Sequence, residues 1–500
     1  MNTIVGIDIG ANNIRVAVYN LAGQLTYFTS RQNMIYHSKH GFSEYNAEEI
    51  WEGVNSCLKE VASNPASGFI CSIGISSFGE SSVLIDKSGK PCYPVIAWYD
   101  QRALEQTHEM ERRIDKKLLY NITGQILSPK FGVCKLLWIK DNAPEAFHKA
   151  YKCLSMQDYI IYKLTNEFAT DYSLASRMLC FDIKTLKWSH DIMNLLGIKY
   201  DLMPEAHPGG TKAGVLSNEA SLSTGLLQGI PVFTGGHDHA CAAIAVNILE
   251  DGTILDSMGA AETTIIADEN ILPADIGYKN ALCVYPHFGR KLYRIITSIQ
   301  ASSSVFEWFS RTFGIPSLGA STKITDIFEK LMMEAEQSPS KTNLIFLPYI
   351  RGLQENSLAK GTFIGIDDTC DRGSFIRAVS EGICFELRRR VTSCEQATGM
   401  CYDTLRAVGD LSKSVRQMNL KASVTGKQIE IPDCSEAACY GAALLSAIGA
   451  DIYAENELSS LYRTKTVYLP SMWDVPAFDK KYMSYLETYD DLSKLYLKLG

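Results

Sequence analysis

Asp8 closes a strand-like run and opens onto a turn of small residues, Gly6-Ile7-Asp8-Ile9-Gly10-Ala11-Asn12-Asn13. A carboxylate at such a strand end can hold a hydrated Mg²⁺ while turn amides face a phosphate. The same residues also suit an ordinary hairpin turn. Asp238 follows an apolar strand and two glycines in Val232-Phe233-Thr234-Gly235-Gly236-His237-Asp238-His239, and it opens an alanine-rich helix. Glycines admit a ligand or a second backbone there, whereas a lone Asp in that place also serves as a helix N-cap. The flanking His237 and His239 favour a polar cleft. His-x-His with no third ligand nearby in sequence is a weak metal motif.

Two further stretches carry polar side chains at element ends. Ser76-Ser77-Phe78-Gly79-Glu80-Ser81 is followed by Ile96-Ala97-Trp98-Tyr99-Asp100-Gln101-Arg102. Together they could hydrogen-bond a polyhydroxylated ligand, or form a solvated loop with its Trp in the core. Late in the chain, Ala407-Val408-Gly409-Asp410-Leu411-Ser412-Lys413-Ser414 precedes a helix containing Ala437, Ala438, Gly441, Ala442 and Ala443. A strand, a glycine turn and a small-residue helix suit a nucleotide, and they suit tight helix packing equally well.

The elements that must position these residues follow from periodicity. Short β-type runs at 4–9, 15–19 and 25–29, joined by turn residues, predict an antiparallel meander. Ile50, Val54, Leu58 and Val61 predict a helix over 47–61. Strands are expected at 70–76 and 83–86, then a helix-rich stretch with candidates at 104–115, 135–140, 158–164 and 190–196. A buried strand at 230–234 should end in a tight turn at Gly235-Gly236. Residues 252–267 repeat the opening in outline, with a turn at Gly259-Ala260-Ala261. Helices at 375–397, 414–424 and 436–448 then alternate with strands at 405–408 and 428–431. Each half thus begins strand–turn–strand and continues as α/β, which predicts two domains of similar fold meeting near 246–252. The clearest loop stretch is 339–342.

The chain has 500 residues, 46% hydrophobic and 21% charged, a globular composition too large for one ordinary core. A net charge of −8 argues against a nucleic-acid surface, which needs a basic patch. No run of 18 apolar residues predicts a membrane span, and the first residues do not read as a secretory signal. Fourteen cysteines without a C-x-x-C pair read as buried thiols in a reducing, cytoplasmic compartment.

Taken in order, these segments resemble the FGGY family of carbohydrate kinases from Gly6 to about Gly449. Lys135-Leu136-Leu137-Trp138-Ile139-Lys140-Asp141-Asn142 resembles most of one family signature. Gly361 to Ile366, with Phe375, Ala378 and Glu381, resembles the second. Thr170-Asp171-Tyr172-Ser173 and Phe346-Leu347-Pro348-Tyr349 are similar to further landmarks. The resemblance implies an α/β chain of two ribonuclease-H-like domains, the actin and hexokinase superfold, with a central cleft. Residues 1–246 would bind the sugar and 247–500 the nucleotide.

It further implies ATP-dependent, Mg²⁺-assisted phosphorylation of a hydroxyl on a small sugar or polyol. Asp238 falls on the family's catalytic base and Asp8 on the acidic residue that positions Mg²⁺. Phe78, Glu80, Trp98, Asp100 and His239 fall in substrate-binding segments. Gly10, Asn12 and Asn13 form the first phosphate turn, Gly259 and Ala260 the second, and Gly409 and Gly441 the nucleoside site. The chain departs from the family at Ala11 and Ala260, where a hydroxyl donor is usual, and at Asp410, where a glycine is usual. Those departures support a second reading, a sugar-binding regulatory member with weakened kinase activity. A homodimer is compatible with the sequence, which does not fix the oligomeric state.

Overall fold

The computed structural model describes residues 1–38, 41–314, 323–338, 343–356 and 358–499, and the loop expected at 339–342 lies outside them. Strands β1 (Asn2–Ile9), β2 (Asn13–Asn20) and β3 (Leu25–Gln32) form the expected antiparallel meander. Helix α1 (Ala47–Ser63) starts at Asn46, whose side chain accepts the Glu48 N–H, and it buries Ile50, Val54, Leu58 and Val61 against the sheet. Strand β4 (Phe69–Ser77) then joins β1 in parallel. Helices α2 (Gly132–Asn142) and α3 (Met156–Thr165) precede the last two strands of this sheet, β5 (Lys212–Val215) and β6 (Pro231–His237). The finished order is β5-β6-β4-β1-β2-β3. Isoleucine and valine bury both faces of β1, as a central strand between covered faces requires.

Helix α4 (Asp238–Ala245) leads to a second sheet. It contains β7 (Thr253–Met258), β8 (Glu262–Asp268), β9 (Cys283–Pro286) and β10 (Tyr293–Ile299). Helices α5 (Ser303–Phe313) and α6 (Arg372–Thr398) follow, then β11 (Thr404–Gly409), α7 (Val415–Thr425) and β12 (Gln428–Pro432). The chain ends with α8 (Ala437–Gly449), β13 (Thr464–Tyr468) and α9 (Val475–Leu499). The order is β9-β10-β8-β7-β11-β12-β13. Both sheets therefore share one plan: three antiparallel strands, β3-β2-β1 or β10-β8-β7, extended by two parallel ones, β4 and β6 or β11 and β12.

Helix α8 follows β12 in sequence but lies on the first sheet, against β1, β4, β6 and α4. Missing side chains make that fit. A β-carbon at Gly6 or Gly74 would collide with α8 carbonyls at Cys439 and Ala442, and one at Gly441 with the Cys241 carbonyl of α4. Close packing of helix on sheet and helix on helix thus accounts for the small residues of α8.

Several expectations need correction. Gly235 and Gly236 form no turn: they lie within β6, which keeps pairing with Ser76 and Ser77 across a bulge after Thr234. Helix α9, for which no periodicity was read, docks Tyr482, Tyr485 and Tyr496 into a separate apolar cluster. All fourteen cysteines are free and most are buried, but Cys401 is exposed. Among the described residues no helix is long and apolar enough to cross a membrane.

Candidate active site

Strand register brings Asp8 and Asp238 to one place. Asp8 pairs with Ser76 and Ser76 with Gly236, across the parallel strands β1, β4 and β6. Neighbouring strands lie about 4.8 Å apart, so β1 and β6 stand roughly 10 Å apart at their shared carboxyl end. Asp238 begins α4 two residues beyond Gly236. The two carboxylates sense each other: burial first, then the charge of Asp238, lifts the Asp8 carboxyl to about 6, against the pull of Arg15. Asp8 is buried, with one oxygen accepting the Ser76 hydroxyl at 2.8 Å and the other an Arg15 N–H at 3.0 Å. Arg15 also reaches Glu436, at 3.2 Å, just before α8.

Asp238 is not the N-cap of its helix; His237 holds that position. The Oδ1 atom accepts the His239 N–H at 2.7 Å and lies 3.3 Å from His237 Nε2. Oδ2 has no hydrogen-bond partner among the described residues. The side chain is 27% exposed. Burial lowers His237 to about 4, so the imidazole is neutral near pH 7 and its 3.3 Å approach to Asp238 is not an ion pair.

A buried carboxylate fixes this corner from beneath. Asp171 accepts the Ser173 N–H and hydroxyl, and the Ser173 hydroxyl oxygen accepts the His237 N–H at 2.8 Å. Gly236 (φ 139°) sits against Ser173, Asp171 and His287, all within 2.7–2.9 Å of where a β-carbon would stand. Only glycine fits there.

The other expected residues divide. Glu80 is buried with φ 61° and is ion-paired to Arg177, whose Nε lies 3.0 Å from Oε1. Burial alone would raise its pKa, but Arg177 and Lys130 bring it down to about 2. The Lys135 ammonium donates to the carbonyls of Glu80 and Trp98, at 3.1 and 3.0 Å, joining the two loops. Trp98 is half-buried, and His239 lies edge-on to His237.

Asp100, expected at the substrate, is instead spent on its own loop. Its oxygens accept from the Arg102 backbone and guanidinium and from the Ser43 N–H, at 2.6–2.9 Å. Phe78 is likewise a core residue, stacked on Tyr45 with centroids 5.3 Å apart. Gly441 faces α4, as described above.

In the first turn, the Gly10 N–H donates to the Asn13 carbonyl at 2.9 Å, and Asn33 donates to the carbonyls of Gly10 and Asn12. The Asn12 side chain is exposed. Met258 pairs with Gly409, which sets the Gly259-Ala260 turn beside Gly409 at the end of β7 and β11. Both glycines and Ala260 are exposed. The Ala260 carbonyl accepts from Ser302 and Ser304 at the start of α5. Asp410 is 66% exposed, beside Lys413 at 2.9 Å, so its charge is largely screened by water.

Arg15, Lys130 and Arg177 were not anticipated. The hairpin itself signals Arg15, which pairs directly with Asp8. No spacing signals Lys130 or Arg177, because both come from loops distant in sequence.

Comparison with known proteins adds to this geometry. The N-terminal domain of the FGGY family of carbohydrate kinases matches residues 3–245, and its C-terminal domain matches 264–450. A xylulose kinase of Bacillus subtilis is 27% identical, over 98% of this chain and 97% of its own. A ligand-bound xylulose kinase structure from Lactobacillus acidophilus superposes with a TM-score of 0.89 at 22% identity, covering all of both chains. A Plasmodium falciparum glycerol kinase structure with ADP has a TM-score of 0.86 at 23% identity, covering 99% and 98%.

Proposed function

The chain belongs to the FGGY family of carbohydrate kinases, and from that premise we propose how its residues transfer the γ-phosphoryl group of ATP to a hydroxyl of a small sugar or polyol. The observation that carries the assignment is Asp238, its Oδ2 without a partner among the described residues, standing near Asp8 at one end of the first sheet. Asp238 is the general base. The His239 N–H holds its Oδ1, with the His237 ring 3.3 Å away, which leaves Oδ2 to accept the proton of the acceptor hydroxyl as the O–P bond forms. Because His237 is neutral, it packs beside the carboxylate without cancelling its charge. The transition state is loose, so alignment of hydroxyl and phosphoryl group matters more than nucleophile strength. Glu80, Trp98 and His239 line the acceptor side. The Gly259-Ala260 and Gly409 turns, with Gly10, Asn12 and Asn13, face the nucleotide.

Two carboxylates that repel one another, one buried and one part-exposed, are a fitting donor set for a hard divalent cation. Asp8 would hold Mg²⁺ there, directly or through water, and the ion would screen phosphate charge. Chelation should abolish turnover and added Mg²⁺ restore it. Asp8→Asn should raise the Mg²⁺ concentration for half-maximal rate at least tenfold, and an unchanged Mg²⁺ dependence would remove Asp8 from this role.

Residues 1–246 are read as the acceptor-binding domain and 247–500 as the nucleotide-binding domain, with α8 crossing between them. A reaction fed by ATP in a chain of free thiols fits the cytoplasm. One support of the regulatory reading is weakened, since Asp410 is exposed and screened by water. Coupled ADP release, screened over ketoses, polyols and sugar acids with Mg·ATP, tests the function. Turnover above the acceptor-free background with at least one acceptor is expected, and none with any of them overturns the reading.

A further inference from the structure

Around Glu80 the cations outnumber the carboxylate: Arg177 and Lys130 share the one negative charge. Glu80 and Arg177 form a buried pair and cancel. Arg177 reaches that position because residue 79 is glycine: a β-carbon there would stand 2.9 Å from Arg177 Cγ and 3.1 Å from His237 Cδ2. The Arg177 guanidinium carbon lies 5.0 Å from the Phe131 ring centroid, and the Lys130 ammonium lies 5.4 Å from the same centroid. Two cations therefore share one aromatic ring beside a single carboxylate. Among the described residues the Lys130 ammonium makes no ion pair and no hydrogen bond, and Lys130 is half-buried. Lys135 differs, because its ammonium is spent on the Glu80 and Trp98 carbonyls. Arg177 also lies 6.0 Å from the Tyr285 ring centroid, and the buried Tyr285 hydroxyl has no partner.

A half-buried ammonium without a direct ion pair or hydrogen bond is unfavourable until an anion meets it. Lys130 adjoins Glu80 and Arg177, His237 packs against the same glycine, and His237 holds Asp238 at 3.3 Å. Lys130 and Asp238 are thus linked through Arg177, Gly79 and His237, so a ligand with both an anionic end and a hydroxyl is the chemistry that would satisfy both residues. We propose that the acceptor is a sugar acid, an aldonate or ketoaldonate whose carboxylate pairs with the Lys130 ammonium while one of its hydroxyls is phosphorylated at Asp238. This deepens the kinase reading and rests on it. A carboxylate, with one negative charge, matches the one charge of the Lys130 ammonium.

The test compares acids with polyols of the same carbon skeleton, xylonate with xylitol and gluconate with glucitol, alongside the matching ketoses and ketose phosphates. ADP release is measured on the full chain, and thermal shift without nucleotide reports acceptor binding. At least one acid should exceed its polyol tenfold or more in kcat/KM. Lys130→Met should raise the KM for that acid at least tenfold with a smaller change in kcat, and Lys130→Arg should keep the preference. A neutral sugar or a ketose phosphate used as well as every acid overturns the proposal, as does a Lys130→Met variant with unaltered acid KM. If no acceptor at all releases ADP, the kinase reading fails. Thermal shift then decides the sugar-acid proposal alone: an acid that stabilises the chain no more than its polyol sinks it.

Discussion

Asp238→Asn should lower kcat by about 10²- to 10⁴-fold and change the acceptor KM by no more than about threefold. The substitution is nearly isosteric, and an amide oxygen at the Oδ1 position still accepts the His239 N–H. The corner built by Gly236, Ser173 and Asp171 does not involve this side chain and stays intact. What disappears is the charge and basicity of Oδ2, the one atom of the residue that no neighbour occupies. The loss therefore belongs to the step that moves the proton, and not to acceptor binding. Steady-state kinetics at saturating Mg·ATP separate the two parameters. A kcat within threefold of wild type would show that another group takes the proton.

Lys421→Met should cost about 3–5 kcal/mol of stability. Its ammonium lies between Asp256 and Glu262, 2.8 Å from Glu262, and all three side chains are shut off from water. The Ser302 hydroxyl donates to the other oxygen of Glu262 at 2.6 Å, and Asp256 Oδ1 has no partner. Methionine fills the space but leaves two carboxylates facing each other in a dry interior. In the wild type, burial first and Glu262 second already lift Asp256 to about 7, against the opposing pull of Lys421. A carboxyl raised in the folded chain binds its proton at higher pH there than when unfolded. Native protein is then favoured as pH falls, and stability declines as pH rises from about 4 to 7.

Removing Lys421 strengthens that trend, so the deficit against wild type should be largest at pH 8 and smaller at pH 5. Urea midpoints at the two pH values measure it. Equal deficits at both, or a loss below about 1 kcal/mol at pH 8, would contradict the account. Adding Asp256→Asn and Glu262→Gln to Lys421→Met should recover much of the loss. These residues flank the Gly259-Ala260 turn, so the lysine variant should also weaken ATP use.

Local pattern carried much of the fold. The opening meander and helix α1 follow from short β runs and from the spacing of Ile50, Val54, Leu58 and Val61. The helix expected over 190–196 is present at His190–Leu196. The shared plan of the two halves was legible because each begins with strand, small turn and strand. What escaped was decided by partners remote in sequence. Parallel pairing of β1, β4 and β6 brings Asp8 and Asp238 together, and no window of residues contains that information.

Gly441 shows the same limit. A small-residue helix serves a nucleotide or a neighbour equally well, and only the position of Cys241 decides between them. Asp100 was legible in hindsight, since Arg102 two residues on has the reach to claim both its oxygens. Helix α9 escaped because its buried face is built from tyrosines among charged residues rather than from aliphatic ones. Arg177 and Lys130 meet at Phe131 only after the loops have folded.

The seating of α8 on the first sheet has a consequence for how the molecule can be divided. A fragment ending near residue 246 would lose the lid over Gly6 and Gly74 and bare a glycine-floored furrow to water. The complementary fragment would carry an apolar rod with nothing to lie in. Neither piece should survive alone, because the packing of α8 against α4 and the first sheet needs both parts of the chain.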